Sequence, residues 1–155
     1  MKVTNKSNID TQLLQDLLDE FYPFAKERFG ITEDPLLEFV SDEVNSRRAL
    51  GTTAYYDPRN MTITVFVDKR HPKDIMRSVS HELVHHAQNC SGELDITQEA
   101  VPGYAQTNSH LRAMEEDANL RGTMCFRDWE DLYKRNNPLS ERKERLFYKL
   151  QKKLW

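Results

Sequence analysis

Apolar residues recur at helical spacing near the start of the chain. Leu13, Leu14, Leu17, Leu18, Phe21, Phe24 and Ala25 share one stripe between Asp10 and Phe29. The period predicts an amphipathic helix, with Asp10 as its N-cap, Pro23 kinking or dividing it, and Gly30 ending it. Pro35 to Val40 is a short apolar run that predicts a strand. Thr52 to Tyr56 and Met61 to Val67 are β-branched and aromatic, and Asp57-Pro58-Arg59-Asn60 between them has turn chemistry. Together they predict a hairpin in a small sheet. The helical period returns from Pro72 to about Cys90, with Gly92 as a stop, and again from Ser109 to about Tyr133. Leu139 to Trp155 predicts a docked, basic, amphipathic C-terminal helix carrying Leu146, Phe147, Leu150 and Leu154. The expected fold class is α+β: a leading helix, a small mixed β-sheet, then helices.

Composition narrows the picture without redirecting it. With 155 residues, 38% hydrophobic and 10% aromatic, the chain can bury one core, so residues 1–155 are read as one domain. A formal charge of −3 provides no global field toward nucleic acid or membrane. The N-terminus, Met1 to Asn8, lacks the apolar core of a signal peptide, and no apolar stretch approaches the roughly 20 residues that span a bilayer. Cys90 and Cys125 are too few for a disulfide scaffold and are read as reduced thiols. A cytoplasmic monomer is the expectation.

The chemistry concentrates at His81-Glu82-Leu83-Val84-His85, a His-Glu-x-x-His motif. Residues four apart share a helix face, so two imidazoles can reach one Zn²⁺ at about 2.0–2.1 Å each. Glu82, one position round, addresses the water instead of the metal, which suits a general base. Met76, Val79, Leu83, Ala87 and Cys90 form the apolar stripe of the same helix. His81 and His85 fall almost opposite, flanked by Arg77, Ser78 and Gln88, so the helix packs one side on a core and presents two imidazoles from the other.

A catalytic zinc needs a third protein ligand and an open fourth position. About thirty residues downstream, Glu115, Ala118 and Asn119 form Glu-x-x-Ala-Asn. Glu115 is the lone carboxylate on the stripe Leu111, Ala118, Gly122, Cys125, Trp129 and Leu132, a costly place for a charge unless it is paired or bound to metal. Its neighbour Glu116 lies on a polar stripe with Arg112, Asn119, Thr123, Arg127 and Glu130. The bland alternative for Glu115 is a salt bridge to an arginine such as Arg77.

Taken together, the two motifs resemble the gluzincins, thermolysin-like zinc peptidases, and most of all their minimal single-domain forms. The resemblance covers roughly Thr52 to Arg127. It implies a zincin-like catalytic domain, peptide-bond hydrolysis, His81, His85 and Glu115 as ligands of one Zn²⁺, Glu82 as base, and a peptide or protein substrate laid along a sheet edge. One departure stands out: Asn119 occupies the position where the family usually has an aspartate that orients a ligand histidine, and the resemblance implies that Asn119 accepts that ring N–H in its place, without a negative charge. A metzincin pattern is disfavoured, because its third histidine would fall at Ser91 and its glycine at Gln88.

For the oxyanion donor, His110, Tyr104 and Tyr133 are candidates, with His110 foremost. His86 reads as a partly buried structural imidazole, and His71 before Pro72 as serving the start of the helix. Two further readings compete with an active gluzincin-like peptidase. One is a regulatory zinc protease of another clan, of the kind that cleaves repressors; the other is a binding or regulatory module that keeps the metal site.

Overall fold

The first apolar stripe folds into one helix, α1 (Gln12–Phe29), which buries Leu14, Leu17, Leu18, Phe21, Tyr22, Ala25 and Phe29. The N-cap is Thr11 and not Asp10 as expected, and its side chain makes no capping bond; Asp10 Oδ1 accepts the Gln12 N–H at 2.9 Å from one residue further out. Gly30 ends the helix in the left-handed conformation at φ 70°. Pro23 does not divide the helix, which runs through it. Pro23 and Asp19 both lie on the exposed side, where water can satisfy the Asp19 carbonyl that the missing N–H leaves open.

The computed structural model describes residues 1–49, 51–94 and 109–137. Among them a four-stranded sheet forms from β1 (Lys2–Asn5), β2 (Leu36–Val40), β3 (Ala54–Asp57) and β4 (Thr62–Phe66), in the order β1-β2-β4-β3. β1 pairs parallel to β2 and β2 parallel to β4, whereas β3 runs antiparallel to β4 at the sheet edge. The hairpin turn is held by Asp57 Oδ1, which accepts the Arg59 and Asn60 N–H groups at 3.0 and 3.4 Å. β1 has no counterpart in the sequence reading, because its four residues are too few to show alternation; pairing with β2 in the register Lys2↔Leu36 creates it. The same holds for the single turn α2 (Glu43–Ser46), capped by Asp42.

Leu37, Phe39, Ile63 and Val65 point into the core from the sheet. The central helix, α3 (Pro72–Cys90), lies against β3 and β4, with α1 and α4 (Ser109–Asn136) packed on it. His71 Nδ1 accepts the Lys73 N–H at 3.0 Å at the start of α3, the role read for it. Between α1 and α4, Phe21 meets Phe126 and Trp129 edge-on, and Arg28 pairs with Asp128 at 2.7 Å. No described helix is long and apolar enough to cross a membrane. Leu139 to Trp155 lies outside the described residues, as does Tyr104.

Candidate metal centre

The two motif helices approach closely because small residues line their contact. A Cβ on Gly122 would sit 3.0 Å from His81 Cα and 3.1 Å from His81 N, tighter than nine in ten of the contacts that real Cβ atoms make. Ser80 Oγ donates to the Gly122 carbonyl at 2.6 Å, and Ala118 is fully buried one turn earlier. This approach carries Glu115, on the same α4 stripe, to the imidazoles of α3. The face opposite the apolar stripe of α3 is therefore not a solvent face: α4 covers it, and Glu82, His85 and Gln88 are buried along with Leu83 and Val79.

At the centre, His85 Nε2 lies 2.8 Å from Glu115 Oε1, His81 Nε2 lies 3.3 Å from Glu115 Oε2, and the two Nε2 atoms are 3.2 Å apart. Metal bonds of about 2.0–2.1 Å in a tetrahedron separate ligand atoms by about 3.3 Å. The two imidazole nitrogens already stand at about that edge, and Glu115 reaches each of them with a different oxygen, so a small side-chain movement would bring one oxygen to an ion between them. His81, His85 and Glu115 can thus hold a metal ion. Glu115 is 47% exposed, against 23% for His81 and 10% for His85, so the group opens to solvent on the Glu115 side. The suggested Arg77 salt bridge is absent: Arg77 pairs with Asp74 at 2.9 Å.

Electrostatics reinforce the grouping. Hydrogen bonds from His81 and His85 hold the Glu115 carboxyl well below the usual carboxylate range, against the opposing effect of burial. Burial disfavours a charged His85, but the hydrogen bond and charge of Glu115 outweigh it and raise its pKa. Glu82, 8% exposed, moves the other way from Glu115. Desolvation pushes its carboxyl up, partly offset by the imidazoles of His85 and His81.

The remaining candidates are placed differently from expectation. Asn119 is exposed and does not orient a ligand imidazole; the partner of His85 Nδ1 is Gln88 Oε1, at 2.8 Å. Asp117, two residues before Asn119, meets Gln88 Nε2 at 3.0 Å. Neither Gln88 nor Asp117 was assigned a role by sequence reasoning. The available signal was spacing, since Gln88 follows His85 by three positions and so shares its side of the helix. His110 Nε2 binds the Glu93 carbonyl at 2.6 Å, and Tyr133 stacks on Trp129 at 4.9 Å between ring centres. Leu132, expected on the buried stripe, is exposed, because Tyr133 takes the packing position. His86 is fully buried, with Nε2 at the Glu33 carbonyl and Nδ1 2.7 Å from the Tyr56 hydroxyl. Cys90 and Cys125 are not paired, and burial pushes the Cys125 thiol up to about 11.

Comparison of the chain with protein-family models, curated proteins and solved structures finds no match.

Proposed function

We propose that the protein is a zinc-dependent metallopeptidase with a zincin-like catalytic domain, in which His81, His85 and Glu115 hold the metal and Glu82 is the base. The observation that carries this reading is the convergence of two Nε2 atoms and one carboxylate from separate helices at 2.8, 3.2 and 3.3 Å. Two imidazoles and one carboxylate form a donor set suited to zinc, and three protein ligands leave a position for water or substrate. Zinc held there would supply a Lewis acid for a scissile carbonyl and lower the pKa of water.

The chain's own residues provide the rest. Glu82 takes a proton from the attacking water at its carboxylate and returns it to the leaving amine. Burial raises its pKa, which brings its proton affinity closer to a neutral working pH. A peptide substrate is supported by β3, an edge strand that packs along α3 through the contact of Tyr56 with His86. An extended chain adds to such an edge by main-chain hydrogen bonds.

The test is metal analysis of wild-type protein beside Glu115→Ala, with denatured casein as substrate. One zinc per wild-type chain, orders-of-magnitude weaker binding in the variant, and casein cleavage by wild type alone are expected. Wild type without a stoichiometric divalent metal would sink the reading. Zinc without any cleavage would point to a binding or regulatory module.

A further inference from the structure

Gln88 is 1% exposed and sits one helical turn beyond His85. Its amide bonds to three different groups, and their chemistry determines which way it points. Nε2 lies 3.0 Å from the Met114 carbonyl and 3.0 Å from Asp117 Oδ2. A carbonyl and a carboxylate only accept, so the NH₂ end must face α4. The amide oxygen consequently faces His85 Nδ1 at 2.8 Å, and that ring nitrogen must be the donor. Asp117 is clamped in turn by Arg121, whose Nε and Nη2 donate to it at 2.8 and 2.7 Å. Arg121 and Asp117 thus anchor Gln88 from α4, and Gln88 anchors His85 on α3.

We infer that Gln88 is the positioning residue of the metal centre, fixing His85 as the Nδ1–H tautomer so that the Nε2 lone pair faces the metal; this rests on the metal-centre reading above. Glu115 alone would not select that tautomer. Its carboxylate beside Nε2 favours a proton on Nε2, where a metal must bind. The acceptor supplied by Gln88 opposes that preference from the far side of the ring. Ligand histidines generally donate their other N–H to a fixed acceptor, which orients the ring and raises its basicity. Here the acceptor is a neutral amide from the ligand helix itself, backed by a carboxylate on α4.

A merely structural Gln88, joining α3 to α4, would affect folding and leave metal affinity alone. Gln88→Met keeps the length of the side chain and removes the amide. Competition with a chromophoric chelator, on protein checked for folding by thermal melting, should show zinc affinity about 10- to 100-fold weaker than wild type. Gln88→Met affinity within about twofold of wild type would overturn the inference. Nitrogen-15 spectra of zinc-loaded wild type need no variant to fold: they should show a slowly exchanging proton on His85 Nδ1, and a proton-free Nδ1 overturns the assignment. Wild type that takes up no zinc removes the metal centre and this inference with it. A zinc-loaded wild type with an equally avid Gln88→Met removes the inference alone.

Discussion

His85 and His86 are neighbours in the chain, yet one belongs to the candidate metal centre and the other braces the fold. A step of about 100° around α3 separates them. His85 turns toward α4, where it meets Glu115 and His81; His86 turns toward the sheet, where it meets Tyr56 on β3 and the Glu33 carbonyl ahead of β2. Burial disfavours the charged form of both rings. For His85 the Glu115 carboxylate reverses the effect and raises the pKa; for His86 burial prevails over the Glu33 carbonyl and the more distant acidic groups, and the pKa falls. His86 is held neutral with its Nε2 proton on the Glu33 carbonyl and its Nδ1 accepting from Tyr56, whose own hydroxyl burial pushes up to about 12. Histidine chemistry on one helix is thus divided by what each ring faces. Changes on the α4 side should move metal binding or catalysis, and changes on the sheet side should move stability.

The largest expected effect is Glu82→Gln. The amide cannot accept a proton, so casein hydrolysis should fall by about 100- to 10,000-fold while zinc content and melting temperature stay near wild type. Cleavage at the wild-type rate would remove Glu82 as the base.

Gly122→Ala should blur the division between the two sides. The new methyl meets the backbone of His81, which cannot move aside like the end of a flexible side chain. Denaturant unfolding should show a loss of about 1–3 kcal/mol, and zinc titration a weaker site, because α4 and Glu115 are pushed from α3. An unchanged zinc affinity would show that the close approach is not what sets the ligand geometry.

A smaller effect separates the histidines by pH. The folded pKa of His86 lies below its unfolded value of about 6.5, so the unfolded chain takes up the proton first. The stability contributed by neutral His86 is complete above about pH 6.5 and is lost as pH falls through the lower folded value. In metal-free protein, the melting temperature of wild type should therefore drop more on acidification than that of His86→Gln, whose amide can also accept from Tyr56 and donate to Glu33. Parallel curves for the two proteins would count against a neutral, structural His86.

Glu116→Ala should change least. Glu116 is exposed and lies on the outer side of α4, so stability should stay within about 0.5 kcal/mol and zinc affinity should not move. A greater loss of zinc here than in Glu115→Ala would reverse the choice between the two glutamates.

The elements that were legible are those whose signal is local and repeated. α1, α3 and α4 follow from stripes of apolar residues, and the β3–β4 hairpin from β-branched runs around Asp57-Pro58-Arg59-Asn60. β1 and α2 were not legible, because a four-residue strand and a single turn carry too little pattern; a partner strand and a capping carboxylate make them. At the site, choosing Glu115 over Glu116 rested on the stripe through Ala118 and Gly122, and the contact of Gly122 with His81 shows why small residues stand there. Assigning Asn119 as the orienting partner followed the family pattern. The structure instead uses Gln88, supported by Asp117, because Asn119 falls on the exposed side of α4.

What the sequence by itself determined is whatever follows from position along one helix: His81 and His85 share a face because they are four residues apart, Glu82 stands beside them, and Glu115 lies in line with Ala118 and Gly122. Tertiary structure alone decided which groups from different helices meet. Glu115 reaches the imidazoles because Gly122 lets the backbones approach, and the Gln88 amide is oriented because Met114 and Asp117 on α4 offer only acceptors. Hydrogen-bond direction and metal-ligand distance depend on atoms brought together across a packed interface. Helical periodicity within either segment contains no information about that meeting.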